Sequence, residues 1–589
     1  MTQEPRAASK AEQLHGQAVQ ALSAGKLDEG MALLKKALDN AGSDIARSII
    51  LNDLGTAYWQ RGQAAMAEKH YAKAAQLAPQ NARAVGNYGA FLVEQGRVKE
   101  GEPHIRKALA DMPDHYKIQN DAGRLAHKKG NLAAAEKFFL ESIRLNPSWT
   151  NAHINLGDLL TDMGRYAEAE KALQEALKLN PQNAVALNAL GKVYTRQKQD
   201  EDALECFDDA LERNPTLDSA WGRKLNLLER MQRLDEAAAT LEKARAACPD
   251  SARIIVFAAK LLRRQGKEGE ALRLLEKMRP KLKADERLDQ SFMWGFFFEL
   301  GELYDRAGEA DKAFECFAKA NAGEAAGAQA QALDKGALLR SIEKLREGFT
   351  PELAKKPGVV PGGKQTPVFL IGFPRSGTTL LDQILSSHPD IRVADEKPAI
   401  DKIAEFVTGI HGPAALGTTP LAGLADFSAA KAEELRKLYF AEHGVTAGAG
   451  IFIDKLPLNI IHAGFIKRVF PDAKFILALR HPCDTVLSCF MQRFELNPAM
   501  AQFLSLEDAA RFYDAVFGLW DHYTKTMPMD VHTIRYEDVV SDFRPTVAAL
   551  LEFLGVFWND AVLEYDKTAR EKPRINTPSY HQVTQKIYT

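Results

Sequence analysis

Apolar and small positions in the first half of the chain recur with a fixed step of 34 residues. Glycines stand at Gly55, Gly89, Gly123, Gly157 and Gly191, with Gly62, Gly96, Gly130 and Gly164 seven residues after the first four. Small Ala135, Ala169, Ala203 and Ala237 follow, then large apolar Phe139, Leu173, Phe207 and Leu241. Prolines close each unit at Pro79, Pro113, Pro147, Pro181, Pro215 and Pro249. Small residues let two helices approach, large ones at helical spacing fill the seam, and proline ends the second helix. The pattern predicts stacked helix pairs over residues 10–322, about nine units, the last carrying Gly301, Gly308, Ala313, Phe317 and Ala320 after an insertion. Such an array is a solenoid with a concave binding face.

The period then changes. Residues 323–366 are poor in large apolar side chains apart from a predicted helix at about 333–348, and end in a Pro/Gly-rich stretch, so they read as a linker. Beyond it lie short apolar runs at 367–372, 391–394, 451–454, 474–480 and 531–536, separated by helical patterns. Buried short strands alternating with helices predict an α/β domain with a mostly parallel sheet over 367–589.

Composition narrows the function. The chain has 589 residues, 46% hydrophobic and 26% charged, with 76 basic against 78 acidic residues. This is ordinary for a globular protein, and the near-zero net charge argues against non-specific nucleic-acid binding. Five cysteines without a CxxC pair form neither a disulfide framework nor a zinc site. Neither a signal peptide nor a membrane span is apparent, so the expectation is a cytoplasmic protein that engages no membrane.

The 34-residue pattern resembles the tetratricopeptide repeat. Two positions before the first-helix glycines stand Asp53, Asn87, Asp121 and Asn155, with Ala189 ending the run. The column resembles the asparagine ladder of repeat-containing glycosyltransferases, and its amides would bond the backbone of an extended peptide. Solvated polar positions or helix contacts would give the same column.

Strand 367–372 runs directly into GFPRSGTTLLDQIL. Gly372 and Gly377 permit a tight turn, and the amides of Ser376, Gly377, Thr378 and Thr379 would open a helix facing an anion. The spacing is that of a phosphate loop, but Thr378 stands where nucleotide-hydrolysing enzymes carry Lys, and Arg375 supplies the charge instead. PRSGTT after a strand resembles the 5′-phosphosulfate loop of sulfotransferases. The segment FILALRHPCDTVLSCF resembles their 3′-phosphate motif, which implies that Arg480 and Ser488 grip that phosphate. HTIRYEDVV implies an adenine contact for Tyr536. Residues 367–588 resemble bacterial repeat-linked sulfotransferases and tyrosylprotein sulfotransferases; the cytosolic small-molecule enzymes have PKSGTTW, where this chain has Arg375 and Leu380.

The resemblance implies catalytic roles for Glu396 as base, for Lys455 at the bridging oxygen and sulfuryl group, and for Arg375. Asp395 beside Glu396 is a competing carboxylate. Independently of family, Arg375, Glu396, Lys455, Arg480 and Tyr536 each follow a predicted strand, and parallel sheets bind ligands beyond their carboxyl ends. In the tail, Ser579 and Lys586 are expected at the donor phosphates, although relatives continue past the position of Thr589 with an Arg-Trp segment. His388 and His481 read as structural. The expected activity is sulfuryl transfer from 3′-phosphoadenosine-5′-phosphosulfate, without a metal, to a hydroxyl of a protein or peptide held by the repeats, tyrosine being one candidate. The alternatives are a repeat scaffold with a weak or inactive transferase domain, and a phosphoryl-transfer enzyme. Oligomeric state is left open, a homodimer being one option.

Overall fold

The computed structural model describes residues 9–282, 290–331, 333–355, 366–394, 396–408, 428–445 and 450–567. These form two compact units, one running through Glu229 and Arg233–Phe296, the other comprising Arg230–Gln232 and the residues from Phe297 onward.

The first unit is all helical. Its helices alternate as first and second members of pairs, beginning with Lys10–Ser23 and Leu27–Asp39, then Asp44–Gln60 and Ala64–Leu77. The pairing follows from the seam residues. A Cβ on Gly123 would lie 2.5 Å from the Phe139 ring, so the glycine is what admits the aromatic side chain. The turns between partners carry Gly62, Gly96, Gly130 and Gly164 at φ 75–78°, where a side chain is disfavoured. In two later units Lys198 (φ 63°) and Gln232 (φ 61°) occupy that turn position.

The array also has a doubled period. Arg97, Arg165 and Arg233, spaced 68 residues apart, each fork onto the Glu three positions on and onto a Glu of the preceding unit: Glu68, Glu136 and Glu201. The large seam residue alternates likewise, aromatic at Tyr71, Phe139 and Phe207, aliphatic at Ile105, Leu173 and Leu241. The elementary unit of this array is therefore two helix pairs.

The second unit holds five parallel strands, β1 (Val368–Gly372), β2 (Ile391–Ala394), β3 (Ile451–Lys455), β4 (Lys474–Leu479) and β5 (Asp530–Arg535), in the order β2-β3-β1-β4-β5. Alternation places Phe369, Ile371, Phe475 and Leu477 in one buried layer, and Val368, Leu370, Ile453 and Ile476 in the other. The first layer also takes Leu338, Ile342 and Leu345, the apolar face of the helix Lys335–Gly348 within the expected linker, and Phe349 at its C-cap. The Ala-rich stretch that opens that segment continues the helix Ala310–Ala326, as the helix propensity of alanine favours. Among the described residues no helix is long and apolar enough to cross a membrane.

One largely desolvated acid, Asp121, gives the first unit a pH signature. Desolvation raises the Asp121 carboxyl to about 6, against a smaller opposing effect of Arg124. A carboxyl raised above its unfolded value stabilises the fold while protonated, and that contribution is lost as pH rises through the folded value. At roughly 1.4 kcal/mol for each tenfold change in proton affinity, the advantage of Asp121→Asn over the wild type should grow by about 2–3 kcal/mol between about pH 4 and pH 6, then level off. Urea unfolding across that range checks this; a constant difference would contradict it.

Candidate active site

The sheet order puts β1 centrally, with the chain crossing from β3 over β1 to β4. The carboxyl ends of β1 and β4 thus flank the crevice where parallel sheets bind ligands. The loop after β1 turns sharply. A Cβ on Gly372 would lie 2.6 Å from the Ala478 carbonyl oxygen of β4, so the loop starts where only glycine fits. Arg375 adopts φ 70°, a left-handed conformation uncommon for a residue with a side chain, and such strain clusters at functional sites. Gly377 (φ 95°) caps the helix Thr378–Ser386. The first bond closing on that cap runs from Leu381 N–H to the Gly377 carbonyl, so the amides of Thr378, Thr379 and Leu380 precede the i−4 ladder.

The predicted donor residues converge here. Arg375 Nε donates to Ser488 Oγ at 3.0 Å. Ser488 lies on the helix Pro482–Phe490, which begins just beyond Arg480 at the end of β4. The Arg480 guanidinium stacks on Tyr536 with Cζ 4.9 Å from the ring centroid. Tyr536 in turn covers Gly377, where a Cβ would meet its ring at 2.9 Å. Arg375 is less basic than a free guanidinium, chiefly through burial, with Arg480 adding like-charge repulsion. Cys489, pushed up to about 12 by burial, donates its thiol to the Pro374 carbonyl and braces the loop from below.

On the β3 side, Lys455 is 2% exposed and its Nζ lies 2.6 Å from Glu396 Oε1, while Asp382 Oδ2 is 3.8 Å away. Glu396 shares a cleft of about 570 Å³ with Arg375, Thr378 and Thr379. Apolar Leu456, Pro457, Phe494 and Met500 and polar Asp401, His462 and Asn497 also line it. Asp395, Ser579 and Lys586 lie outside the described residues. His388 bonds the Phe557 carbonyl through Nε2 and accepts from Asp390 N–H, a link between loops. His481 offers its backbone N–H to Glu537 Oε1, and its ring faces solvent.

Sequence reasoning missed Asp382 and Glu537. Asp382 falls one helical turn after Thr378, hence on the loop-facing side, and that spacing was the available signal. Glu537 directly follows Tyr536. Its acidity is strengthened by the His481 amide and by Arg535 and Arg480, against the opposing effect of burial.

The model of the sulfotransferase family matches residues 367–560, and tetratricopeptide-repeat models match 52–111, 91–148 and 150–215. The chain joins tetratricopeptide repeats to a sulfotransferase-family domain. An uncharacterized protein of Aquifex aeolicus is 29% identical over 299 residues, 49% of this chain and 38% of that protein. Protein-tyrosine sulfotransferase 1 of Danio rerio is 26% identical over 230 residues, 37% of this chain and 61% of that one. The chain thus spans less than two thirds of either relative. The crystal structure of yeast Tom70 aligns over 58% of this chain and 69% of its own, at 18% identity and a TM-score of 0.37.

The residues present fit the phosphosulfate donor that the sulfotransferase family implies. Ser376 Oγ and Arg480 Nε are buried within the site with no partner among the described residues, as donors awaiting an anion would be. The loop amides and the Arg375–Arg480 pair supply further positive potential without a lysine at position 378.

Proposed function

We propose that the protein transfers a sulfuryl group from 3′-phosphoadenosine-5′-phosphosulfate to a hydroxyl of a peptide or protein acceptor, with tyrosine the first candidate. The observation carrying this reading is the convergence of Arg375, Ser488, Arg480 and Tyr536 around one glycine loop, with Glu396, paired to the buried Lys455, lining the cleft beside Arg375. The donor supplies the SO₃ group and a phosphate leaving group. The loop amides and Arg375 hold its 5′ end, Arg480 and Ser488 its 3′-phosphate, and Tyr536 its base. Lys455 stabilises the charge that grows on the oxygen being released. Glu396 takes the acceptor's proton as the acceptor oxygen bonds to sulfur. The apolar lining of the cleft suits an aromatic acceptor. The repeat groove, lined in part by Asn87 and Asn155, would hold the rest of the acceptor chain in the cytoplasm.

Calorimetry with 3′-phosphoadenosine 5′-phosphate tests the donor half of this reading. The full chain should bind it without added magnesium. A folded chain that fails to bind would leave a repeat scaffold as the better account.

A further inference from the structure

The loops that follow β2 and β3 deliver more than the Glu396–Lys455 pair. Just beyond Lys455 the chain enters a short 3₁₀ helix, Pro457–His462. Side chains three apart eclipse in such a helix, so Asn459 and His462 share one side of it. Just beyond Glu396 comes Asp401, in the first turn of the helix Ala399–Thr408. All three line the cleft that Glu396 lines. Asn459 is 1% exposed and His462 3%. Asn459 Nδ2 and Oδ1, His462 Nδ1 and Asp401 Oδ1 are buried with no hydrogen-bond partner among the described residues. His462 Nε2 lies 3.2 Å from Asp401 Oδ1, close enough to orient the ring toward the carboxylate. Buried polar groups are almost always paired, so bare ones gathered in one cleft point to a ligand. The apolar neighbours Pro398, Leu456, Pro457 and Leu458 offer them no side-chain partner.

We infer that Asn459 and His462 form a subsite that reads the main-chain amides beside the acceptor's reactive hydroxyl. In an extended chain the N–H and C=O of one residue point to the same side, and a side-chain carboxamide matches both, accepting from the first and donating to the second. Asn459 presents that pair of atoms without a partner among the described residues. With its proton on Nε2, toward Asp401, the His462 ring keeps Nδ1 to accept from a further main-chain N–H. Asp401 thus acts through His462, as a positioning residue. A cleft of about 570 Å³ holds a phenol ring together with the amides that flank it. A simple phenol offers the subsite nothing, so these residues select a peptide over a small aromatic alcohol. The inference rests on the reading that the acceptor is a peptide hydroxyl, tyrosine first, and it names the residues that make the choice.

The test is steady-state sulfation, by the full chain, of N-acetyl-tyrosine N-methylamide, 4-ethylphenol and tyramine. The wild type should favour the capped tyrosine over 4-ethylphenol by roughly 10- to 100-fold in kcat/KM, the scale of two or three neutral hydrogen bonds. Asn459→Ala should erase most of that preference, mainly through KM, and His462→Leu a smaller part. The two phenols share their reacting group, so a merely structural effect would lower both alike and leave their ratio intact. Should one variant fail to fold, the other carries the comparison, and the wild-type series stands without either. Equal use of the capped tyrosine and 4-ethylphenol by the wild type, a ratio unchanged in the folded variants, or no sulfation of any of the three would overturn the inference. So would a preference for tyramine, which would mean that Asp401 reads an ammonium group instead. Calorimetry with 3′-phosphoadenosine 5′-phosphate on the same samples reports the donor site separately. Binding without a preference among the phenols removes the subsite alone, whereas absent binding removes the donor reading.

Discussion

Replacing Glu396 with alanine is expected to lower turnover at least ~100-fold, the usual scale for losing a positioned general base, with affinity for 3′-phosphoadenosine 5′-phosphate retained. The expectation follows from where Glu396 stands. It lines the cleft with Thr378, Thr379 and the apolar residues, and is 32% exposed, so an acceptor hydroxyl can reach it. Its partner Lys455 is buried and keeps Asp382 nearby when Glu396 is removed, so the lysine remains placed to act on the leaving oxygen. A Glu396→Gln variant separates the two tasks of the carboxylate. Glutamine keeps an oxygen for the Lys455 hydrogen bond but cannot take a proton. If the role is proton transfer, both variants should lose turnover alike. If the role is only to hold Lys455, glutamine should restore most of it. Near-normal turnover in alanine would place the base elsewhere, with the Asp401–His462 pair of the same cleft the next candidate.

How much of this was legible beforehand depends on whether a feature repeats or depends on a single fold-specific contact. The helix pairs could be read because glycine, alanine and proline keep one step through six units. The strands could be read because short buried runs replace that step, and all five observed strands lie within a residue of those runs. The convergence of Arg375, Glu396, Lys455, Arg480 and Tyr536 was readable from their shared place at strand ends. The 68-residue double period was visible in the same columns, but its meaning came only when Asn52 and Asn120 proved to be the acceptors behind Asn87 and Asn155. Those partners lie 35 residues upstream, one position off the ladder column, so a column read vertically does not pair them. The left-handed Arg375 was likewise hidden, since nothing in an arginine side chain favours that conformation.

Arg480→Ala should weaken binding of 3′-phosphoadenosine 5′-phosphate by roughly 10- to 100-fold, the range for losing a hydrogen bond to a charged group. Two features of Arg480 bear on this. Its plane stacks on Tyr536, and its Nε is buried without a partner among the described residues. Asp484 approaches it only to 4.0 Å and is largely exposed, and Glu537 feels its charge without a direct ion pair among the described residues. A bound phosphate would accept from that buried Nε–H and add a charge-assisted hydrogen bond that the fold itself does not supply. Two controls tie the effect to the 3′-phosphate. The wild type should prefer 3′-phosphoadenosine 5′-phosphate over adenosine 5′-phosphate, and Arg480→Ala should erase most of that preference. Arg480→Lys keeps the charge but loses the planar fork and the stacking face, so it should fall between the two. An unchanged dissociation constant in the alanine variant would contradict the assignment. Equal weakening toward both nucleotides would mean that Arg480 acts through Tyr536 on the adenine, leaving Ser488 to hold the phosphate.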